Sequence, residues 1–250
     1  MSGVCHIVCA GPGEVALLAE HDDGDGGVAA ERFPYEPKAP VTLSCEHRTM
    51  SAATTPPSPS PVKPGGFLIA VAGGFAHCLA AGLEPDLFVG DLDSLSPELA
   101  SLIGCERIEL PCEKDDTDTV YACKEGLARG YESFVLHCAL GGDVGHELAN
   151  IQTLAFLRER GARGMLLGGS QQVHLVTPDA SPASFAAPPG TRVSVFSFGD
   201  AAHGVIERGL QWELEDAAFT NAMPLGVSNV TTHERFEIGV RDGMLLVVIG

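Results

Sequence analysis

The rhythm of apolar runs changes near residue 161, and that change limits the possible folds more than any other feature. Before it, strand-like and helix-like segments alternate. Residues 67–72, 87–89, 107–110 and 133–139 read as short strands. Residues 76–81, 97–103 and 119–129 read as helices, and so does 147–160, with Leu148, Ile151, Leu154, Ala155 and Leu157 facing inward. Such alternation predicts a mostly parallel sheet with helices on both faces, whose ligands gather at the carboxyl ends of the strands. After Gly161 the apolar runs at 165–167, 173–176, 192–198, 203–209 and 243–249 are punctuated by glycine or proline, with no convincing helix between them. Antiparallel β structure is expected there. The predicted class is therefore α/β: an N-terminal, mostly parallel α/β sandwich domain over residues 1–163, then a smaller antiparallel β-sandwich domain over 164–250.

The chain begins with His6-Ile7-Val8-Cys9-Ala10, a buried strand, and Gly11-Pro12-Gly13, a tight turn leading to a helix through Leu17 and Leu18. Residues 21–65 are rich in aspartate, glycine and proline and poor in apolar side chains. Such a stretch offers too little buried surface to offset its ordering entropy, and it reads as an insertion between the first two strands.

Two aspartate clusters stand at predicted strand ends. In Gly90-Asp91-Leu92-Asp93-Ser94, alternate residues of an extended segment point the same way, so Asp91 and Asp93 can share a face with Ser94 beside them. In Lys114-Asp115-Asp116-Thr117-Asp118, a helix opened by Thr117 would place Asp115 and Asp118 near its first turn, on one side. Either cluster alone is also explained by an Asx turn or a helix cap. Together they favour a hard divalent cation, since converging carboxylates repel without one, and Mg²⁺ is usually held by a few carboxylates together with substrate phosphates.

Composition narrows the partners. The formal net charge is −18 with 15 Lys and Arg, which disfavours nucleic acid. No run is long enough to span a bilayer. Eight scattered cysteines, without zinc-knuckle spacing and without a signal-peptide pattern ahead of them, suggest reduced thiols and a cytoplasmic protein.

The two acidic segments, followed in order by Gly141-Gly142 before His146-Glu147-Leu148-Ala149-Asn150, by Gly209-Leu210-Gln211-Trp212 and by Gly226-Val227-Ser228-Asn229, resemble the thiamine pyrophosphokinase family over roughly residues 66–250. The resemblance implies transfer of pyrophosphate from ATP to thiamine, giving thiamine diphosphate and AMP, in a homodimer with its active site between subunits. It implies Asp91, Asp93, Asp115 and Asp118 as catalytic, Mg²⁺-holding residues. It further implies ATP and phosphate contacts from Gly73, Gly74, Ser94, Lys114, Thr117, Gly141, Gly142, His146 and Asn150. Thiamine would be met by Trp212, the only tryptophan, with Ser228 and Asn229, although a lone tryptophan also suits a β core. Three departures stand out: Ala72 replaces a usual aspartate before Gly73-Gly74, Asp143 replaces an arginine after Gly141-Gly142, and Gly145 replaces an aspartate. These keep two alternatives open: a weakened thiamine-binding homologue, and a pyrophosphokinase acting on a pterin-like alcohol.

Overall fold

Strands buried on both faces read as unbroken apolar runs, because neither side of the pleat meets water. The computed structural model, which describes residues 3–13, 15 and 66–250, forms its centre from such runs. Strand β1 (Val4–Val8) lies between β2 (Gly66–Val71) and β5 (Ser133–His137), parallel to both. Strands β3 (Leu87–Gly90) and β4 (Glu106–Glu109) continue outward beside β2, also parallel. Ile7, Leu68, Ile69, Leu87, Phe88 and Leu136 are fully buried there. The expected helix after Gly13 and the 21–65 insertion lie outside the described residues.

Helices α1 (Gly74–Ala80), α2 (Pro97–Ala100), α3 (Asp118–Ala128) and α4 (Val144–Arg158) join these strands. The second is shorter than predicted and ends at Ala100 rather than near 103. The last starts three residues earlier than predicted, at Val144, and buries Thr153, Leu154 and Leu157. Leu148, expected inward, is 56% exposed, because the first turns of α4 overhang the sheet edge, where Val144 is exposed as well.

The C-terminal half does not form a separate sheet throughout. Strand β6 (Arg163–Gly168) pairs parallel with β5 on one side and antiparallel with β7 (Gln171–Val176) on the other. Gly169, at φ 58°, makes the tight turn between β6 and β7 possible. Strands β9 (Arg192–Ser197), β12 (Gly226–Val230) and β14 (Leu245–Ile249) complete one ten-stranded sheet in the order β12-β9-β14-β7-β6-β5-β1-β2-β3-β4. A second sheet, ordered β11-β10-β13-β8, is built from β8 (Ala183–Ala186), β10 (Ala201–Arg208), β11 (Leu214–Thr220) and β13 (Arg235–Gly239). It packs over the antiparallel half through Val205, Phe236 and Ile238 against Val193, Val195 and Val247. The class is the α/β plus antiparallel β arrangement expected from the sequence, with the large sheet shared between its two halves.

Two features of the centre have measurable consequences. Helix α3 lies so close to the sheet that a Cβ on Gly126 would stand 2.5 Å from Phe134 Cε1 and 2.9 Å from Cys5 Sγ. Gly126→Ala therefore overpacks the core, and urea unfolding is expected to show a loss of about 1–3 kcal/mol.

Side by side on β1 and β5, His6 Nδ1 and His137 Nε2 are 3.0 Å apart. Burial lowers the His6 pKa to about 4; burial and then the charge of His6 lower that of His137 to about 3. Both are neutral when folded at pH 6.5, whereas the unfolded chain takes up protons around its ordinary histidine value. Stability is therefore complete above pH 6.5 and is lost as pH falls through 4. The urea midpoint should drop over that range, and a His6→Leu/His137→Leu chain should show a flatter profile.

Candidate active site

Because β1, β2, β3 and β5 are parallel, their carboxyl ends open at one edge of the sheet, and the chain order reverses there between β2 and β5 on either side of β1. The turns at this edge touch. The Gly11 amide donates to Cys138 O at 3.0 Å, the Ala72 amide to Val89 O at 3.0 Å, and a Cβ on Gly141 would meet Pro12 Cγ at 3.0 Å. Gly74 admits no side chain, since its Cβ would fall 2.0 Å from Val8 O. Ala72 (φ 47°) and Cys138 (φ 52°) hold left-handed conformations that favour glycine, so two of these strand ends carry backbone strain.

Strand β3 delivers Asp91 and Asp93 to this edge, and Thr117 caps α3 by accepting from the Val120 amide at 3.2 Å, which sets Asp118 in the first turn. Lys114 joins the two clusters: its Nζ is 3.4 Å from Asp91 Oδ2 and 3.0 Å from Asp118 Oδ1. The latter oxygen is buried, and the Lys114 ammonium is the charge that faces it. Asp91 is held above the usual carboxylate range, first by the hydrogen bond it shares with Asp93, then by burial and the charge of Asp118, with Lys114 opposing. Lys114 is itself held above its ordinary value, chiefly by Asp118.

Cys112, which sequence reasoning passed over, places its Sγ 3.4 Å from Asp93 Oδ2. Ligand atoms of Asp91, Asp93 and Cys112 all lie within 4.8 Å of one another. The thiol is held above its ordinary pKa, first by its hydrogen bond to Asp93, and so stays protonated. Asp115 is exposed in the bend before α3, and Asp116 pairs instead with Lys124. An oxygen-rich set whose charge is balanced by a single lysine fits Mg²⁺, which Asp91, Asp93 and Asp118 would hold.

The Gly-Gly turn after β5 is partly occupied. The Gly141 amide donates to the Glu147 carboxylate, while Asp143 caps α4 by accepting from the His146 amide at 3.1 Å. Gly142 and His146 are exposed, as is Ser94. Asn150 donates to Ala139 O at 2.9 Å and ties α4 to the end of β5.

Trp212, Ser228 and Asn229 form a second group in the β half. Trp212 is 58% exposed, so it is not a core residue. Asn229 is buried and grips the Trp212 backbone at both ends, accepting from its amide at 3.1 Å and donating to its carbonyl at 2.7 Å. Ser228 is exposed, at φ 62°, with its amide donating to Ser194 Oγ at 3.0 Å.

Fold and site together define an α/β protein whose strand ends carry a carboxylate–lysine cluster beside glycine turns, an arrangement suited to binding a cation with an anionic substrate. Residues 62–166 match the family model for the thiamin pyrophosphokinase catalytic domain. A stretch of 167 residues is 26% identical to thiamine pyrophosphokinase 1 of Oryza sativa subsp. japonica, covering 62% of this chain and 62% of that relative. Among solved structures, the thiamine pyrophosphokinase of Bacillus subtilis superposes with a TM-score of 0.67 at 22% identity, covering 73% of this chain and 86% of that one. The thiamin pyrophosphokinase family protein of Enterococcus faecalis gives 0.65 at 25% identity, covering 78% and 94%. The chain is thus similar to thiamin pyrophosphokinases: in sequence over residues 62–166 and the stretch shared with the Oryza sativa relative, and in fold over most of its described length.

Lys114 stands between two carboxylates that would otherwise repel. Lys114→Ala is expected to cost about 1–3 kcal/mol in EDTA. It should also enlarge the rise in melting temperature on adding Mg²⁺, measured by scanning calorimetry in both conditions.

Proposed function

We propose that the chain is a thiamine pyrophosphokinase: it transfers the pyrophosphoryl group of ATP to the hydroxyl of thiamine, forming thiamine diphosphate and releasing AMP. The observation that carries this reading is the convergence of Asp91, Asp93, Lys114 and Asp118 at the strand ends of the segment matched by the family model. The thiamine oxygen bonds to the β-phosphorus, the bond from that phosphorus to the oxygen shared with the α-phosphate breaks, and the hydroxyl proton leaves to a base or to water. Such a transfer asks for positioning and charge neutralisation rather than a covalent nucleophile. Mg²⁺ held by Asp91, Asp93 and Asp118 would offset phosphate charge and draw the anionic nucleotide to an acidic protein. Lys114 neutralises charge on the transferred group, and the exposed Trp212 ring offers a face for stacking on thiamine's flat pyrimidine.

The proposal extends to a homodimer whose active site joins the acidic edge of one subunit to Trp212 of its partner, with residues 1–163 as catalytic domain and 164–250 as thiamine-binding domain. Neither nucleic acid nor a membrane is a proposed partner: the charge is unsuited to the first, and among the described residues no helix is long and apolar enough to cross the second. The cysteines Cys5, Cys9, Cys78, Cys105, Cys112, Cys123 and Cys138 are all free, in keeping with a cytoplasmic location. The family match and the exposed Trp212 favour thiamine over a pterin-like alcohol.

Incubation with ATP, Mg²⁺ and thiamine is the direct test: AMP and thiamine diphosphate should appear together, and AMP formation indifferent to thiamine would sink the reading. Asp93→Asn should lower kcat roughly a hundredfold. The Asp143→Arg/Gly145→Asp chain should turn over faster than the parent, since it restores a cation and a carboxylate beside the glycine turn. Loss of the Asp143 cap should cost α4 about 0.5–2 kcal/mol in the same chain.

A further inference from the structure

Strand β10 carries a carboxylate where its alternation calls for an apolar side chain. Val205 and Glu207 are buried, while His203 and Arg208 face water. Glu207 is 1% exposed, its Oε1 has no hydrogen-bond partner, and its Oε2 accepts from Asn229 Nδ2 at 2.8 Å. Burial holds its pKa above the ordinary value, with the Asn229 hydrogen bond opposing. A buried carboxylate with one orphaned oxygen is costly, and an apolar side chain of similar volume is often tolerated as well or better. Packing alone does not account for it.

Its partner suggests what it does. Asn229 is on β12 in the ten-stranded sheet and Glu207 on β10 in the other, so their hydrogen bond crosses the sandwich. An asparagine amide can be turned end for end, exchanging its donor and acceptor. The Glu207 oxygen gives Nδ2 a second acceptor from the opposite sheet and so reinforces one of the two orientations. In that orientation Nδ2 also reaches Trp212 O, while Oδ1 receives the amides of Trp212 and Val230 at 3.1 and 2.9 Å. The rest of the turn is braced independently: Gly209 N donates to Glu213 Oε1 at 2.8 Å and Gln211 N to Val230 O at 2.8 Å.

We propose that Glu207 is a positioning residue: by fixing the orientation of Asn229 across the two sheets, it holds the Trp212 backbone and presents the exposed indole as a rigid ligand platform. That the ligand is thiamine rests on the function proposed above; the rigidity of Trp212 does not.

Trp212 is the only tryptophan, so its fluorescence anisotropy decay reports this turn alone. Glu207→Leu removes the orphaned carboxylate and should fold, with an unchanged or higher melting temperature, yet its decay should gain a fast component of indole motion. Its KM for thiamine should rise roughly tenfold while KM for ATP stays unchanged, the pattern of a misplaced binding group. Glu207→Gln keeps the size but can turn either its oxygen or its NH2 toward Asn229, so it should fall between the parent and the leucine chain in both measurements. Should the leucine chain not fold, Glu207→Thr, which suits a strand and is shorter, takes its place in the same comparison. A decay and a thiamine KM indistinguishable from the parent's would overturn the proposal and leave Glu207 as a core residue only. If the parent itself makes no AMP and thiamine leaves its fluorescence unchanged, the functional reading fails, and the anisotropy decay alone decides the role of Glu207.

Discussion

Strand β6 is hydrogen-bonded on both edges, parallel to β5 and antiparallel to β7, and this double pairing fuses the protein into one framework. A parallel strand needs a crossover to reach its neighbour, whereas an antiparallel one needs only a tight turn. The chain changes from the first solution to the second at the Gly169 turn, without interrupting the sheet. The acidic edge and Asn229, which grips the tryptophan turn from β12, thus belong to a single sheet. Relative movement of the two would bend that sheet rather than open a hinge in a linker.

Much of this was legible in the sequence because burial on two faces leaves unbroken apolar runs. Residues of β2, β3 and β5 announced themselves in that way, and Thr117 announced the start of α3 by its capping chemistry. The continuity of the sheet was not legible. Met165, Leu166 and Leu167 read as a strand, but no local signal says that a strand pairs differently on its two sides. Strands β8, β11, β12 and β13 were missed because polar or small residues interrupt their apolar pattern, as in Leu214–Thr220. In the site, the two aspartate clusters were visible from spacing. Cys112 and Glu147 were not, since each acts through a turn whose path is set by the fold. Glu207 left a signal, a charged residue in phase with Val205, that alternation could have picked out.

The electrostatics of the acidic edge follow from how few cations the chain has to spend. Lys114 serves Asp91 and Asp118 at once, and Asp93 turns to a neutral thiol rather than to a second lysine. At the glycine turn the usual arginine is absent, and the position is occupied by a helix cap, Asp143, with Glu147 on the neighbouring Gly141 amide. Both substituents are anionic. An incoming phosphate at that turn must displace one of them or approach through the exposed Gly142.

Among the described residues the large sheet ends at β12 and β4, and the two ends are blunted by different means. Strand β4 exposes Glu106, Arg107 and Glu109, with Arg107 and Glu109 paired at 3.2 Å, so an approaching strand would meet fixed charge. Strand β12 has no such charges, and Leu225 just before it and Val227 within it are exposed. Its protection is geometric: the register slips between Gly226 and Asn229, where Ser228 sits at φ 62°. An irregularity of this kind spoils the even ladder that another chain would need in order to add itself. The same kink turns the Asn229 side chain inward. The bend that holds the tryptophan turn in place thus also breaks the ladder at this edge, and a substitution that straightened it would loosen the turn and present an even strand to other chains at once.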